Sequence, residues 1–472
     1  MSAVVPRSLN FLISRSKTTA TQAGGIGYNE LLKIHSDNVF PTQTPFFKKP
    51  IVVEKGEMQY LWDTNGKRYL DMFAGIVTVS VGHCHPKVKA AAFDQMNKLW
   101  HTTSIYLTEP IHEYAKKLAG KLPEKLKVCY FVNSGSEAND LAMLLSRLYT
   151  KNLDIISLRN GYHGGSNMVL GAIGMNTWRQ AVVAPNFQQT MNADPYRGPW
   201  GGKQCRDSPS QTTRSCSCVE GRCEASDAYV AQVGDLLIHS TPPSGIAAFI
   251  VESIQGGGGI VQFPKNFVKR AVEKVRARGG LYIADEVQTG FGRTGEHFWG
   301  FQGHDVIPDI VTMAKGIGNG FPLAAVVTTP EVAKSLTGAI HFNTFGGNPI
   351  ACRVGSAVLD VIEEEKLQEN SAKVGTYFLS KLKELQSKHE IVGDVRGKGL
   401  MIGVELVEDR ESRKPLQSSR MDALFESVKD KGLLVGRGGL YKTVLRVQPP
   451  MCINKENVDE AIDILDQTLA TA

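Results

Sequence analysis

Between about residues 90 and 335, short apolar runs recur with helix-length segments between them. Residues 128–132, 154–158, 247–251, 281–284, 309–313 and 323–327 are nearly continuous in Val, Ile, Leu, Ala, Phe and Tyr. A strand with one wet face alternates apolar and polar residues, whereas one buried on both faces reads as an unbroken apolar run. Such runs alternating with helices predict an α/β fold around a mostly parallel sheet covered on both sides. Upstream, residues 25–60 form a polar lead-in broken by Pro41, Pro45 and Pro50, and residues 60–71 read as a hairpin turning at Asn65-Gly66. Downstream, helices over about 349–388 lead to an α+β stretch with strand-like 400–406 and 444–447. Residues 190–228 interrupt the alternation. They are rich in Gly, Pro, Ser, Arg and Cys, show no period, and are expected to be a long surface insertion. The expected division is a large domain over 90–350 and a small α+β domain over 351–472, to which residues 25–89 contribute.

Composition changes this picture only at the first residues. With 42% hydrophobic and 21% charged residues, the chain is that of an ordinary globular protein, and no apolar run approaches the roughly 18 residues of a membrane span. The net charge is +6, but Arg7, Arg15 and Lys17 supply three positive charges before the first acid, Glu30. The remainder, about +3 with signs interspersed, does not make a phosphate-tracking surface. Neither a nucleic acid nor a membrane is expected as a partner. Residues 1–24 combine those three bases with Ser2, Ser8, Ser14, Ser16, Thr18, Thr19, Thr21 and scattered apolar residues. This is the composition of a mitochondrial transit peptide, so the expected location is the matrix.

Of eight cysteines, Cys84, Cys129, Cys352 and Cys452 are scattered, while Cys205, Cys216, Cys218 and Cys223 crowd the insertion. The spacing C-x10-C-x-C-x4-C matches no common zinc pattern. Zinc, a disulfide pair and a loop of reduced thiols all stay open, with reduced thiols the default and no metal site assigned. Gly82-His83-Cys84-His85-Pro86 resembles a metal cluster on paper, but no carboxylate accompanies it; His83 and His85 read as turn or interface residues.

Four further segments carry chemistry. Asp285 ends the apolar run 281–284, and Lys315 follows 309–313 with Gly316, Gly318 and Gly320 behind it. Each delivers a charged side chain to the end of a buried sheet. A desolvated lysine can form a Schiff base with a carbonyl compound, and a nearby carboxylate can hold a ring nitrogen protonated. Asn133-Ser134-Gly135-Ser136-Glu137 follows a strand and opens an apolar-periodic helix, whose first amides are suited to a phosphate. A plain helix cap is the competing reading. In Gly161-Tyr162-His163-Gly164-Gly165, Tyr162 could stack on a flat ligand or be a half-buried turn residue. The glycine runs 316–320 and 256–259 have the wrong spacing for a dinucleotide fingerprint, which argues against a nicotinamide dehydrogenase.

Taken together, Ile283-Ala-Asp285-Glu286-Val287-Gln288-Thr-Gly290-Phe-Gly292-Arg293-Thr-Gly295 and Asp309-Ile-Val-Thr-Met-Ala-Lys315-Gly316 resemble the signature of the class III aminotransferases, in the pyridoxal-phosphate fold type I superfamily. The similarity runs from about residue 30 to the C-terminus. The resemblance implies pyridoxal 5′-phosphate as cofactor. Lys315 would bond its aldehyde, Asp285 its ring nitrogen and Gln288 its phenolic oxygen. Tyr162 and Val287 would cover its two faces, and Gly135 and Ser136 would hold its phosphate. Thr344 would reach that phosphate from a neighbouring subunit, making a homodimer, or a dimer of dimers, the active form. Arg446 would grip the substrate's α-carboxylate, a role suited to a bidentate guanidinium.

Two departures bear on the substrate. Ornithine-type relatives carry a glutamate that masks the carboxylate-binding arginine and an arginine that takes a distal carboxylate; here those positions are Gly257 and Gly165. A buried distal carboxylate without its partner costs several kcal/mol. The expected reaction therefore moves an amino group from L-alanine to glyoxylate, giving pyruvate and glycine by ping-pong turnover between small amino acids and 2-oxo acids. Alternatives on the same scaffold are a broader ω-amino-acid transaminase, using 3-aminoisobutyrate or methylated arginine, and a phospho-lyase. A non-catalytic relative is disfavoured by the intact Lys315, Asp285 and Gln288.

Overall fold

The computed structural model describes residues 26–40, 46–181, 184–219 and 221–471. They fall into two units, one up to Val52 and one from Val53 onward. The first carries a helix, Tyr28–Asn38, with no buried residue. The proposed transit segment, 1–24, lies outside the described residues. No helix among the described residues is long and apolar enough to cross a membrane.

The second unit opens with antiparallel strands β1 (Val53–Glu57), β2 (Tyr60–Asp63) and β3 (Arg68–Asp71). The turn expected at Asn65-Gly66 is present. Asp63 Oδ1 accepts the amides of Asn65 and Lys67 at 2.9 and 3.0 Å, and Gly66 takes φ 78°.

The central sheet contains β4 (Val128–Val132), β5 (Ile155–Leu158), β6 (Phe187–Thr190), β7 (Ala248–Glu252), β8 (Leu281–Asp285), β9 (Ile310–Met313) and β10 (Ala324–Thr328), in the order β4-β10-β9-β8-β7-β5-β6. Neighbours from β9 through β8, β7 and β5 to β6 are parallel, while β10 runs antiparallel to both β4 and β9. All six apolar runs are strands of this sheet. Every residue of β5, β7, β8, β9 and β10 is buried, which is why these runs lack a polar alternate. The edge strand β6 escaped the sequence reading. Its Phe-Gln-Gln-Thr is half-buried and carries no apolar run. Ala138, Leu141, Ala142 and Leu145, on one face of the helix Gly135–Thr150, pack into the same core as Ile155, Ala248 and Ile283.

Helices Pro349–Glu364 and Leu367–Lys388 lead into β11 (Val392–Lys398), β12 (Met401–Asp409), β13 (Lys414–Pro415), β14 (Leu433–Leu434), β15 (Gly436–Gly438) and β16 (Val444–Val447). β11, β12, β16 and β15 form one sheet, with β13 on β12, while β14 pairs in parallel with β3.

Residues 190–228 depart from the expected surface insertion. The segment has few regular elements before the helix Glu224–His239, yet Cys205, Arg206, Ser210 and Thr212 are buried. Arg206 Nη2 donates to Asp394 Oδ2 at 2.6 Å, and Arg396 Nη1 donates to the same oxygen at 3.0 Å. Ser208 Oγ donates to the Gly397 carbonyl at 2.8 Å, and Ser210 Oγ to that of Val395. The polar composition that suggested solvent instead satisfies β11. Burial pushes the Asp394 carboxyl up, but Arg206 and Arg396 hold it, on balance, below the usual carboxylate range.

Asp394→Asn leaves the buried Arg206 without its counter-charge, while Arg396 keeps Glu405 at 2.6 Å, and is expected to cost about 3–5 kcal/mol in urea unfolding. Because the folded carboxyl titrates below its unfolded value, the wild-type advantage is present above about pH 4 and fades as pH falls through the depressed folded value.

Candidate active site

Parallel strands bring their C-terminal ends to one edge of a sheet, where α/β proteins bind ligands. Here Glu252, Asp285 and Thr312 stand in register across β7, β8 and β9. Lys315 lies three residues beyond Thr312, opening the short 3-10 turn Lys315–Gly318 with φ 51°. A non-glycine residue in that region carries roughly 1–3 kcal/mol of strain, held here by its surroundings. Ser80 Oγ donates to the Gly316 carbonyl at 2.7 Å, and Asn319 Oδ1 accepts the Val81 amide at 3.0 Å. Above the strand ends is a cavity of about 330 Å³, lined by Lys315, Asp285, Glu252, Val287, Gln288, Tyr162 and the 133–136 segment.

Asp285 is buried and fully engaged. Oδ2 accepts from Asn139 Nδ2 at 2.9 Å and lies 2.8 Å from His163 Nδ1, while Oδ1 accepts the Val287 amide at 3.1 Å. Asn139 also donates to the His163 carbonyl at 2.7 Å and accepts from Thr312 Oγ1 at 2.7 Å. Burial pulls the His163 imidazolium down, but its hydrogen bond with Asp285 and the charges of Asp285 and Glu252 outweigh this, so it holds its second proton above the ordinary histidine value. Glu252 accepts the amides of Tyr162 and Gly256 at 3.1 and 2.8 Å, which fixes two loops at the cavity wall. Burial raises its carboxyl. The neighbouring Glu286 turns inward, taking amides from Gly300 and Phe301 and hydroxyls from Ser253 and Thr289.

Desolvation lowers the Lys315 amine below an ordinary lysine; Asp285 and Glu252 oppose this, and Arg446 adds to it. Ser134 caps the helix Gly135–Thr150 by accepting the Glu137 amide at 3.2 Å. The cap reading and the phosphate reading are thus compatible. The cap uses Glu137, and the first-turn amides of Gly135 and Ser136 have no intrahelical acceptor. A Cβ on Gly135 would stand 3.3 Å from Val287 and 3.6 Å from Ala314.

Gln288 Oε1 accepts from Arg446 Nη2 at 2.9 Å and from Gln448 Nε2 at 3.4 Å, and Arg446 Nη2 also donates to Gln448 Oε1 at 2.7 Å. Arg446 is buried, yet its Nε has no hydrogen-bond partner, and it forms no ion pair among the described residues, the charge of Glu252 acting on it from farther away. Burial pushes it down to about 10. Tyr162 packs edge-on against Trp178 at 5.2 Å. Thr344 is exposed and does not line this chain's cavity. His83 and His85 do not converge: His83 pairs with Asp71 at 2.7 Å and His85 with Glu365 at 2.9 Å.

This constellation agrees with what the whole chain resembles. Residues 43–469 match the class-III aminotransferase family. The chain belongs to that family. It is 56% identical over 446 residues to the human (Homo sapiens) protein named alanine–glyoxylate aminotransferase 2, mitochondrial, covering 94% of this chain and 87% of that one. Among solved structures it is similar to a Bacillus anthracis aminotransferase, with 34% identity, a TM-score of 0.85, and coverage of 94% of this chain and 98% of the other. It is also similar to an Arthrobacter phospholyase solved in complex with phosphoethanolamine, with 30% identity, a TM-score of 0.83, and coverage of 94% and 99%. The cofactor of this class III aminotransferase is pyridoxal 5′-phosphate. The residues fit it: unpaired first-turn amides, a buried carboxylate and a desolvated lysine face one cavity.

Sequence reasoning singled out Lys315 and Asp285, and the resemblance added Gln288; the structure brings these three together at one cavity, with Asn139, His163 and Glu252, to which no role had been given, around them. Asn139 lies one helical turn beyond Gly135, and His163 adjoins Tyr162, so both sat inside segments already singled out. Losing a hydrogen bond to a charged group costs about 1.5–3 kcal/mol, or roughly 10–100-fold in rate. His163→Gln is expected to lower kcat of the folded enzyme by that factor, and Asp285→Asn by more.

Proposed function

We propose that this aminotransferase carries the amino group of L-alanine to glyoxylate, releasing pyruvate and then glycine in a ping-pong cycle. The observation that carries the substrate class is Arg446: a buried guanidinium with an unpartnered Nε and no ion-paired carboxylate among the described residues, Glu252 acting on it only from farther away. A buried cation of this kind calls for an anion, and the α-carboxylate of an amino or 2-oxo acid supplies one bidentately. Nothing competes for it at Gly257, and no cation stands at Gly165 to receive a second carboxylate. The human relative's name specifies alanine and glyoxylate. The phospho-lyase alternative rests on a more distant likeness, at 30% identity.

When bound, pyridoxal phosphate supplies the electron-withdrawing ring that weakens the substrate's Cα–H bond. The chain's own residues do the rest. Lys315 Nζ would bond the cofactor's aldehyde carbon and, once free, would serve as the base for the substrate Cα proton; its lowered basicity suits that role near neutral pH. Asp285 keeps the ring nitrogen protonated, steadied by His163 and Asn139. Gln288 presents its NH2 to the phenolic oxygen, since its carbonyl oxygen is taken by Arg446 and Gln448. Gly135 and Ser136 amides take the phosphate, and Tyr162 and Val287 close the two faces.

Thr344 completes the phosphate site of a neighbouring copy, so the working unit is a homodimer. Its exposure, with that of Ile340, Phe342 and Phe345 beside it, supports this reading. The location is the mitochondrial matrix, supported by the relative's name and by the composition of residues 1–24.

A donor and acceptor screen tests the proposal. Glyoxylate is expected to exceed 2-oxoglutarate by about 100-fold or more in kcat/KM. Equal values would overturn the monocarboxylate reading. A Cβ on Gly165 meets nothing within 4 Å, so Gly165→Arg is expected to fold and to narrow that gap. Lys315→Ala is expected to transaminate no substrate and to lack a borohydride-sensitive visible absorption.

A further inference from the structure

The cysteine-bearing segment is not used by the reaction, yet three of its thiols converge and the fourth, Cys216, lies beside Cys205. Cys205 Sγ lies 3.5 Å from Cys218 Sγ and 4.0 Å from Cys216 Sγ, and Cys218 Sγ lies 3.7 Å from Cys223 Sγ. The sulfurs of Cys205, Cys218 and Cys223 all lie within 4.8 Å of one another. A disulfide holds its sulfurs at about 2.05 Å, so none of these pairs is one. A tetrahedral ion bound to sulfur at about 2.3 Å sets its ligands about 3.8 Å apart, and the observed separations fall around that value. We propose that Cys205, Cys216, Cys218 and Cys223 form a structural zinc site, four thiolates around one Zn²⁺.

The backbone around the cluster is built for such a site. Between Cys218 and Cys223 the chain makes a tight turn: Val219 and Arg222 exchange backbone hydrogen bonds at 3.2 and 3.1 Å, and Gly221 takes φ 79°. Cys223 occupies the N-cap position of the helix Glu224–His239, so the start of that helix fixes where its sulfur stands. Cys205, the buried member, is tied on both sides. Its amide donates to Gly202, and its carbonyl accepts from Lys265 at 2.8 Å. Cys216 is the exposed member: its thiol donates to the Lys203 carbonyl at 2.7 Å and stands 4.0 Å from Cys205 Sγ, and in the proposed site it turns inward as the fourth ligand.

The unusual spacing has a physical reason. Ten residues separate Cys205 from Cys216 because the chain leaves the cluster to place Arg206, Ser208 and Ser210 on β11, then returns. The ion therefore pins both ends of that excursion. Binding releases four thiol protons to solvent and changes no oxidation state. With all four positions filled by protein, the ion has no open site for substrate, and its role is to hold the fold.

The test is metal analysis of the full-length enzyme loaded with pyridoxal phosphate, after gel filtration in a weak chelator. About one zinc per chain is expected, released by a mercurial thiol reagent, with about four sulfurs at ~2.3 Å by X-ray absorption at the zinc edge. The Cys218→Ser/Cys223→Ser double variant is expected to lose at least about tenfold in zinc content, and Cys84→Ser, outside the cluster, to retain it. The proposal is overturned if wild-type protein is isolated without zinc and does not retain added Zn²⁺, or if mass spectrometry finds any two of the four joined as a disulfide. The wild-type measurements decide the matter even where the double variant fails to fold.

Discussion

A carboxylate buried at the end of a sheet sets the geometry of this molecule. In a medium of low dielectric, an ionised Asp285 is tolerable only with donors on both oxygens and a cation close by. The fold supplies these from three separate places: the helix that follows β4 through Asn139, the loop after β5 through His163, and the turn after β8 through the Val287 amide. Asn139 can meet Asp285 only if that helix sits over β8 and β9, where Thr312 holds its other end. The same placement leaves the first-turn amides of Gly135 and Ser136 at the cavity. One satisfied charge thus positions both the acidic and the anion-binding parts of the site.

Lys315 depends on the same low dielectric with the opposite sign. Desolvation disfavours its ammonium while Asp285 and Glu252 favour it, and the balance falls on the side of a weaker base. Glu252, Asp285 and Thr312 share one register row, and Lys315 begins one short turn later, so the sheet's hydrogen-bond ladder sets the distances on which this balance rests.

Much of this was legible in the sequence because burial on both faces leaves a mark. A strand with no wet side must be apolar throughout, so a charged residue at its end stands out; that is how Asp285 and Lys315 were visible. Arg446 was visible only through family resemblance, since one arginine inside Val-Leu-Arg-Val does not announce which side faces a cavity. His163 and Glu252 were missed because their partners come from elements far apart in the chain, and no local period encodes that meeting. The insertion was misjudged for a related reason. Gly, Ser and Arg read as solvent-facing, but here they serve the edge of another strand, β11, and one of them, Arg206, is 1% exposed.

That misjudged segment connects physically to Gln288 and Arg446. Arg206 holds Asp394; Asp394 orients Arg396; and Arg396 donates to the Gly259 carbonyl at 2.6 Å. Gly259 closes the glycine run that begins at Gly256, where a Cβ would fall 2.2 Å from Gln288 Oε1, the atom that accepts from Arg446. The run, with the wrong spacing for a nucleotide, lets two layers approach instead. On one side of them lies the buried ion network, and on the other Gln288 with Arg446. A side chain at Gly256 would separate those layers, displacing Gln288 and Arg446 together. The placement of Arg446 and the packing of the insertion are therefore one mechanical problem, solved with small residues where backbone must meet side chain and with paired charges where β11 must be held.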